Sequence, residues 1–294
     1  MISIKAPAKI NFYLHVTGVR HDGYHLLTSL IAFADVCDEI AIDHGEKLSL
    51  RTDGEFAGSL PPNNENMVTK AAILLADTIG VEPSVKIHLT KNLPVASGIG
   101  GGSLDAAATL MGLCQYWNYT PNKILLFQLA NNLGTDVPAC LFGRASVVSG
   151  IGDELVPAPT LPESWLVLVN PGVPVSTSQV FKRYKKKFST PAKFVQSPKY
   201  TSEFVDQLLD SSNDLTEAAI AEAPIISEVI KNIQSCNGSL LTRLSGSGAT
   251  CFGIFEHQTD AKVAALSLAE KFPRWWVRAT PLLNRWKQFE INTS

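Results

Sequence analysis

The sequence predicts an α+β protein of two domains, and three observations lead there. At 294 residues the chain has room for two ordinary cores. Helical and strand-like patterns are interspersed, with strands falling in adjacent pairs rather than alternating strictly with helices. A Gly- and Pro-rich stretch, Gly150–Pro162, separates a first half from a second. The domains are accordingly expected at 1–155 and 156–294.

The elements follow in order. Ile10, Phe12, Leu14 and Val16 alternate with Lys9, Asn11, Tyr13 and His15, the pattern of a half-buried strand whose polar face is free to line a site. A helix is predicted over Met67–Ile79, with Asn66 as N-cap and Gly80 just past its end. Val85–Leu89 reads as a strand, Lys91–Gly102 as a loop, and Ser103–Trp117 as a helix with an apolar stripe at Ala107, Leu110, Cys114 and Trp117. Thr120-Pro121 opens another helix, with Pro at its first position, which stops at Gly134. In the second half Trp165–Val169 is a short apolar strand. The basic stretch Phe181–Tyr200, with Lys182, Arg183, Lys185, Lys186 and Lys187, reads as an exposed, mobile segment. Helices are predicted near Glu203–Leu209, Leu215–Ala223 and Ile225–Ser235. A strand (Leu241–Leu244), a glycine turn, a strand (Ala249–Phe255), a helix (Asp260–Phe272) and a strand (Trp275–Pro281) close the chain.

Composition limits the function classes. The content is 45% hydrophobic and 18% charged, in the range of globular proteins. The formal net charge of −2 argues against binding nucleic acid through bulk electrostatics. Five scattered cysteines with no C-x-x-C pair argue against a disulfide framework or zinc site and for reduced thiols. The N-terminus MISIKAPAKINFYLHV lacks a secretory signal's apolar run, and no segment is long and apolar enough to span a bilayer. A cytoplasmic protein is expected, acting on a small molecule without nucleic acid or membrane, as a monomer or weak homodimer.

The chemistry centres on Pro94-Val95-Ala96-Ser97-Gly98-Ile99-Gly100-Gly101-Gly102-Ser103-Leu104. Its glycines permit positive φ and let a ligand approach the backbone. The helix that follows offers unpaired N–H groups and the positive end of its dipole. Together they make an anion site suited to nucleotide phosphates. No Gly-Lys-Ser/Thr occurs, so this is not a Walker A loop; Ser103 stands where a Rossmann fingerprint needs Gly.

The run Pro-x-x-x-Gly-Ile-Gly-Gly-Gly-Ser resembles the central ATP motif of the GHMP kinases, the family of galactokinase and of homoserine, mevalonate and phosphomevalonate kinases. Ala6-Pro7-Ala8-Lys9-Ile10-Asn11 and Leu244-Ser245-Gly246-Ser247-Gly248-Ala249-Thr250 are similar to that family's other motifs. Arg20-His21-Asp22-Gly23-Tyr24-His25, Gly134-Thr135-Asp136-Val137-Pro138 and Asn213-Asp214-Leu215 narrow the likeness to members that phosphorylate a cytidine-diphosphate-linked methylerythritol in non-mevalonate isoprenoid synthesis. The fold implied is an N-terminal domain like ribosomal protein S5 domain 2 and a ferredoxin-like C-terminal domain, with the site between them. ATP and Mg2+ are implied with it. Two positions depart from the pattern: Ile99 stands where Leu is usual, and Leu104 where a second Ser is common.

The resemblance also implies roles. Asp136 is the candidate general base for the acceptor hydroxyl, although local sequence alone favours a helix N-cap. Lys9 is the candidate cation that keeps this carboxylate ionised and stabilises the transferred group; an exposed strand-end lysine is the bland alternative. Asn11 is placed toward substrate hydroxyls. Tyr24 stacks on the cytosine, His25 hydrogen-bonds its edge and Phe181 forms the other side of the sandwich, a plain core Phe being the alternative there. Asn66 approaches the adenine, or simply caps its helix. Gly246 and Ser247 lie beside the substrate diphosphate, or merely form a hairpin.

Overall fold

The computed structural model describes residues 1–185 and 187–286. Two long antiparallel strands, β1 (Ile2–Val19) and β2 (His25–His44), form the spine. The next strand, β3 (Ser49–Asp53), pairs in parallel with β4 (Val85–Thr90), and β4 pairs antiparallel with residues 39–44 of β2. Between β3 and β4 runs α1 (Met67–Ile79), capped by Asn66, whose side chain accepts from the Val68 N–H, and ended by Gly80 at φ 70°. Three helices follow β4: α2 (Gly101–Tyr116), α3 (Lys123–Leu133) and α4 (Val137–Phe142). They share one core with α1, β2 and β4. The hairpin β5 (Ser146–Ser149) and β6 (Glu154–Pro157) adds to residues 29–31 of β2, on the same edge as β4 and opposite β1.

The second half opens with β7 (Trp165–Asn170), followed by α5 (Thr177–Arg183), α6 (Thr201–Leu208), α7 (Thr216–Glu222) and α8 (Ile225–Gln234). Then come β8 (Leu241–Leu244), β9 (Cys251–Phe255), α9 (Gln258–Lys271) and β10 (Trp276–Leu283). The sheet order is β10-β7-β9-β8, all antiparallel, which is the ferredoxin-like arrangement. The edge strand β10 also pairs with Phe33 and Ala34 of β2, so the two sheets are continuous. The boundary anticipated after residue 155 falls inside β6, which the hairpin ties to the N-terminal sheet.

This sheet is buried on both faces, which is why β7 reads WLVLV without polar alternation. Leu166 and Leu168 face a core shared with Ile10, Phe12 and Leu30, while Val167 and Val169 face α8 and α9. The strand β1 is buried on both sides too, correcting the half-buried reading: Lys9, Asn11, Tyr13 and His15 are buried along with Ile10 and Phe12. A bulge between Asn11 and Tyr13 puts Phe12 out of register. The Phe12 carbonyl thereby leaves the ladder and accepts from Arg243 Nη1 at 2.8 Å.

The segment Phe181–Tyr200 is also corrected. Phe181 belongs to α5, and residues 189–194 cross the polar face of β1. Ser189 N–H donates to the Val16 carbonyl, His15 Nδ1 meets the Thr190 carbonyl at 2.8 Å, and Tyr13 Oη donates to the Ala192 carbonyl at 3.5 Å. Phe194 is buried edge-on against Phe204 at 5.8 Å. Phe194→Ala should therefore cost about 3 kcal/mol and open residues 189–194 to limited proteolysis; unchanged melting and cleavage would mean the segment holds nothing in place. Lys182, Arg183, Lys185 and Lys187 are exposed, as expected, and Lys186 lies outside the described residues. All five cysteines are free thiols. Among the described residues no helix is long and apolar enough to cross a membrane.

Candidate active site

A cleft of about 920 Å3 opens where β1, the N-terminus of α2, the start of α4, α5 and the β8–β9 turn converge. Four of its walls come from segments the sequence analysis singled out.

The reactive centre is the pair Lys9 and Asp136, with Nζ 3.2 Å from Oδ2. The Lys9 side chain is 6% exposed and that of Asp136 is 51% exposed, so the carboxylate faces the cleft while the ammonium supports it from below. Asp136 occupies the N-cap position of α4, but its side chain makes no capping hydrogen bond. The N-cap alternative for its carboxylate therefore fails. Lys9 Nζ also donates to Asn11 Oδ1 at 3.2 Å, and Asn11 Nδ2 donates to Ser29 Oγ at 2.8 Å. An enclosed ammonium needs such partners to offset its lost hydration.

The glycine loop folds tightly over Lys9. The Lys9 N–H donates to the Ile99 carbonyl at 2.9 Å, and a Cβ on Gly100 would stand 3.1 Å from Lys9 Cε. Gly98 and Gly100 adopt φ of 77° and 68°. With Gly100 as N-cap, α2 begins at Gly101, two residues earlier than predicted, so Gly101–Ser103 form its first turn. Their N–H groups have no partners within the helix, and the three residues line the cleft. Ala96, Ser97, Gly98, Gly100, Gly101, Gly102 and Ser103 line the cleft. Pro94, Val95, Ile99 and Leu104 do not. Ile99 and Leu104 are fully buried, and Leu104 belongs to the helical core, so a hydroxyl there would face apolar neighbours rather than a ligand. Asn66 does not line the cleft either; its Oδ1 is used by the Val68 N–H.

The opposite end is aromatic. Tyr24, His25 and Phe181 all line the cleft, with the His25 and Phe181 rings 4.9 Å apart and tilted by 34°. Burial lowers the His25 pKa, so the imidazole is neutral near pH 7 and offers one donor and one acceptor. Phe181 thus reaches the cleft while also packing on the C-terminal core. Tyr24 is 56% exposed, with the Arg20 guanidinium 5.7 Å from its ring centroid.

The second glycine turn is locked in place. Asn213 Nδ2 donates to the Leu244 and Gly246 carbonyls at 2.9 and 2.7 Å. Ser247 Oγ lies 2.7 Å from Thr177 Oγ1, and Gly246 and Ser247 line the cleft between the loop and α5. The Ser245 hydroxyl receives the Asn11 N–H at 3.2 Å and donates to the Gly98 carbonyl at 3.0 Å, joining the three motifs. Sequence reasoning missed Thr135, Thr177, Ser178 and Lys182 as cleft residues. Thr135 precedes the singled-out Asp136, but the others lie on a helix whose residues carry no motif of their own. Also missed was a buried cluster of Asp38, Lys91 and Asp105 beneath the loop.

The family profile described as GHMP kinases N terminal domain matches residues 66–144, and that described as GHMP kinases C terminal matches 202–274. The chain belongs to the GHMP kinase family. Among its relatives within this family is a 4-diphosphocytidyl-2-C-methyl-D-erythritol kinase of Paramagnetospirillum magneticum, 46% identical over 96% of this chain and 99% of that one. Another, from Ruegeria pomeroyi and with the same name, is 47% identical over 92% and 95%. A crystal structure of a 4-(cytidine 5'-diphospho)-2C-methyl-D-erythritol kinase superimposes with a TM-score of 0.79 at 31% identity, covering 96% of this GHMP kinase and 99% of the other.

Proposed function

We infer that the chain transfers the γ-phosphoryl group of ATP to the 2-hydroxyl of 4-diphosphocytidyl-2-C-methyl-D-erythritol, a step of non-mevalonate isoprenoid precursor synthesis. The observation that carries this reading is the Lys9–Asp136 pair, set between a phosphate-binding helix N-terminus and an aromatic corner. The loop and the first turn of α2 take the nucleotide phosphates. Tyr24, His25 and Phe181 take the cytosine, by stacking and by hydrogen bonds to its edge.

The acceptor hydroxyl loses its proton to Asp136 as its oxygen attacks phosphorus. Lys9, held 3.2 Å away, fixes the Asp136 carboxylate before the transfer and faces the charge gathering on the phosphoryl oxygens during it. Asn11 fixes the Lys9 ammonium and lines the floor where the polyol lies. Among the described residues no three His, Cys, Asp or Glu side chains converge as a metal cage. A magnesium ion arriving with ATP would neutralise charge on the phosphates, and no step is assigned to it.

A kinase assay over a panel of acceptors tests this reading. ADP should form with 4-diphosphocytidyl-2-C-methyl-D-erythritol and not with homoserine or mevalonate; binding of ATP without turnover of the cytidine-linked acceptor would overturn the assignment. Phe181→Ala should raise the acceptor KM about tenfold, a loss of about 1.4 kcal/mol, and leave the ATP KM within about twofold. An equal rise in both constants would place Phe181 in the core rather than the base pocket.

A further inference from the structure

Directly beneath the phosphate loop lies a charge cluster with no place in the chemistry above. Lys91 is 1% exposed and bonds two enclosed carboxylates, Asp38 from β2 and Asp105 from α2, the latter at 2.7 Å. A Cβ on Gly101 would stand 3.0 Å from Lys91 Nζ and 3.7 Å from Asp38 Oδ2, so the cluster touches the underside of the turn that faces the cleft. Asp105 sits one helical turn after Gly101, and helical side chains lean toward the N-terminus, which brings its carboxyl under the same turn.

The two carboxylates are not equivalent. Asp38 Oδ1 accepts from the Asn92 and Leu93 N–H groups at 2.7 and 2.8 Å, and its Oδ2 accepts from Lys91. Asp105 bonds Lys91 through Oδ2, and its Oδ1 is buried with no donor facing it and the Asp38 carboxyl alongside. An ionised Asp105 thus leaves a bare carboxylate oxygen in the interior, and a proton removes that cost.

We propose that Asp105 is a positioning residue for the nucleotide, and that its charge within the Asp38–Lys91–Asp105 cluster sets how well the turn Gly98–Ser103 accepts phosphate. With Asp105 protonated the cluster is neutral, and the positive end of α2 is wholly available to ATP. With Asp105 ionised the cluster carries a net negative charge under the phosphates and competes for that same helix terminus. Burial raises the Asp105 carboxyl well above the usual carboxylate range, toward neutral pH, against the pull of Lys91. The titratable groups facing it are Lys91 from the loop, Asp38 from β2 and Cys140 from α4. Burial pushes the Cys140 thiol up, which keeps it neutral throughout. Lys9 and Asp136 lie beyond Cys140.

The inference rests on ATP phosphates binding this loop, and calorimetry separates the two claims. At pH 8 the γ-phosphate is already ionised, so proton uptake measured with MgATP in buffers of different ionisation heat reports the protein. The wild type should take up a substantial part of one proton per ATP, and Asp105→Asn should take up none. From pH 6 to pH 8.5 the wild-type affinity should fall about fivefold more than that of the variant. ATP binding without uptake, or uptake that persists in Asp105→Asn, overturns the inference and leaves the function standing. Absence of uptake in the wild type overturns it even if the variant misfolds. Absence of ATP binding would overturn the function as well.

Discussion

Asp136→Asn should lower kcat by about 10²–10⁴-fold while changing neither KM by more than about threefold. The substitution preserves shape and the hydrogen bond to Lys9 and removes only the capacity to accept a proton. A thousandfold loss corresponds to about 4 kcal/mol of transition-state stabilisation. Asn is as good an N-cap as Asp, and the Asp136 side chain makes no capping bond. The carboxylate is half-exposed, so melting should move by no more than the shift of about 0.5 kcal/mol typical of surface changes. Steady-state kinetics with both substrates varied, alongside a thermal melt, checks the prediction. Turnover near wild type would remove Asp136 from the chemistry and leave the Lys9–Asp136 pair as a structural contact.

Much of the fold was legible where structure is made by local chemistry. Asn66 and Gly80 bound α1 as read, because a cap is a hydrogen bond between near neighbours and a C′ glycine answers a local φ. The start of α3 was misplaced for the same kind of reason: Asn122 accepts from the Leu125 N–H and outcompetes Thr120-Pro121 as the start signal. What depends on distant partners was not legible. The strand β2 escaped notice because Leu30 to Ala34 are buried on both faces and show no alternation. The covering of β1 by residues 189–194 uses backbone carbonyls of Thr190 and Ala192, and backbone acceptors leave no mark in sequence.

The site divides in the same way. The loop, Lys9 and Asp136 stand in motifs whose residue types carry their chemistry, and the fold brings them together. Asp38, Lys91 and Asp105 are separated by 53 and 14 positions and become one cluster only through packing. Leu104 read as a position where chemistry was missing; packing makes it a core residue of the helix that presents the phosphate site.

Gly98→Ala should be the most damaging single-atom addition near the cleft. Gly98 sits at φ 77°, where an L side chain is strained, and an added Cβ would stand 2.3 Å from the Ser245 carbonyl oxygen and 2.7 Å from the Gly248 nitrogen. Both obstacles are backbone, so neither can swing aside. Gly80 separates the two effects: its φ is 70° and an added Cβ meets nothing within 4 Å. Gly80→Ala should cost about 1 kcal/mol, or about 2–4 °C of melting temperature. Gly98→Ala carries that strain and must also drive the phosphate loop away from the second glycine turn. The Ser245 Oγ to Gly98 bond and the Thr250 N–H to Ser97 bond, both 3.0 Å, would then be lost together. A total of about 3 kcal/mol or more follows, with a melting shift about three times that of Gly80→Ala. The loop that moves is the one read as holding ATP, so the ATP KM should rise at least about tenfold while Gly80→Ala leaves it unchanged. Equal melting shifts for the two variants, or an ATP KM indifferent to Gly98→Ala, would mean that the contact between the two glycine turns does not hold the phosphate loop in place.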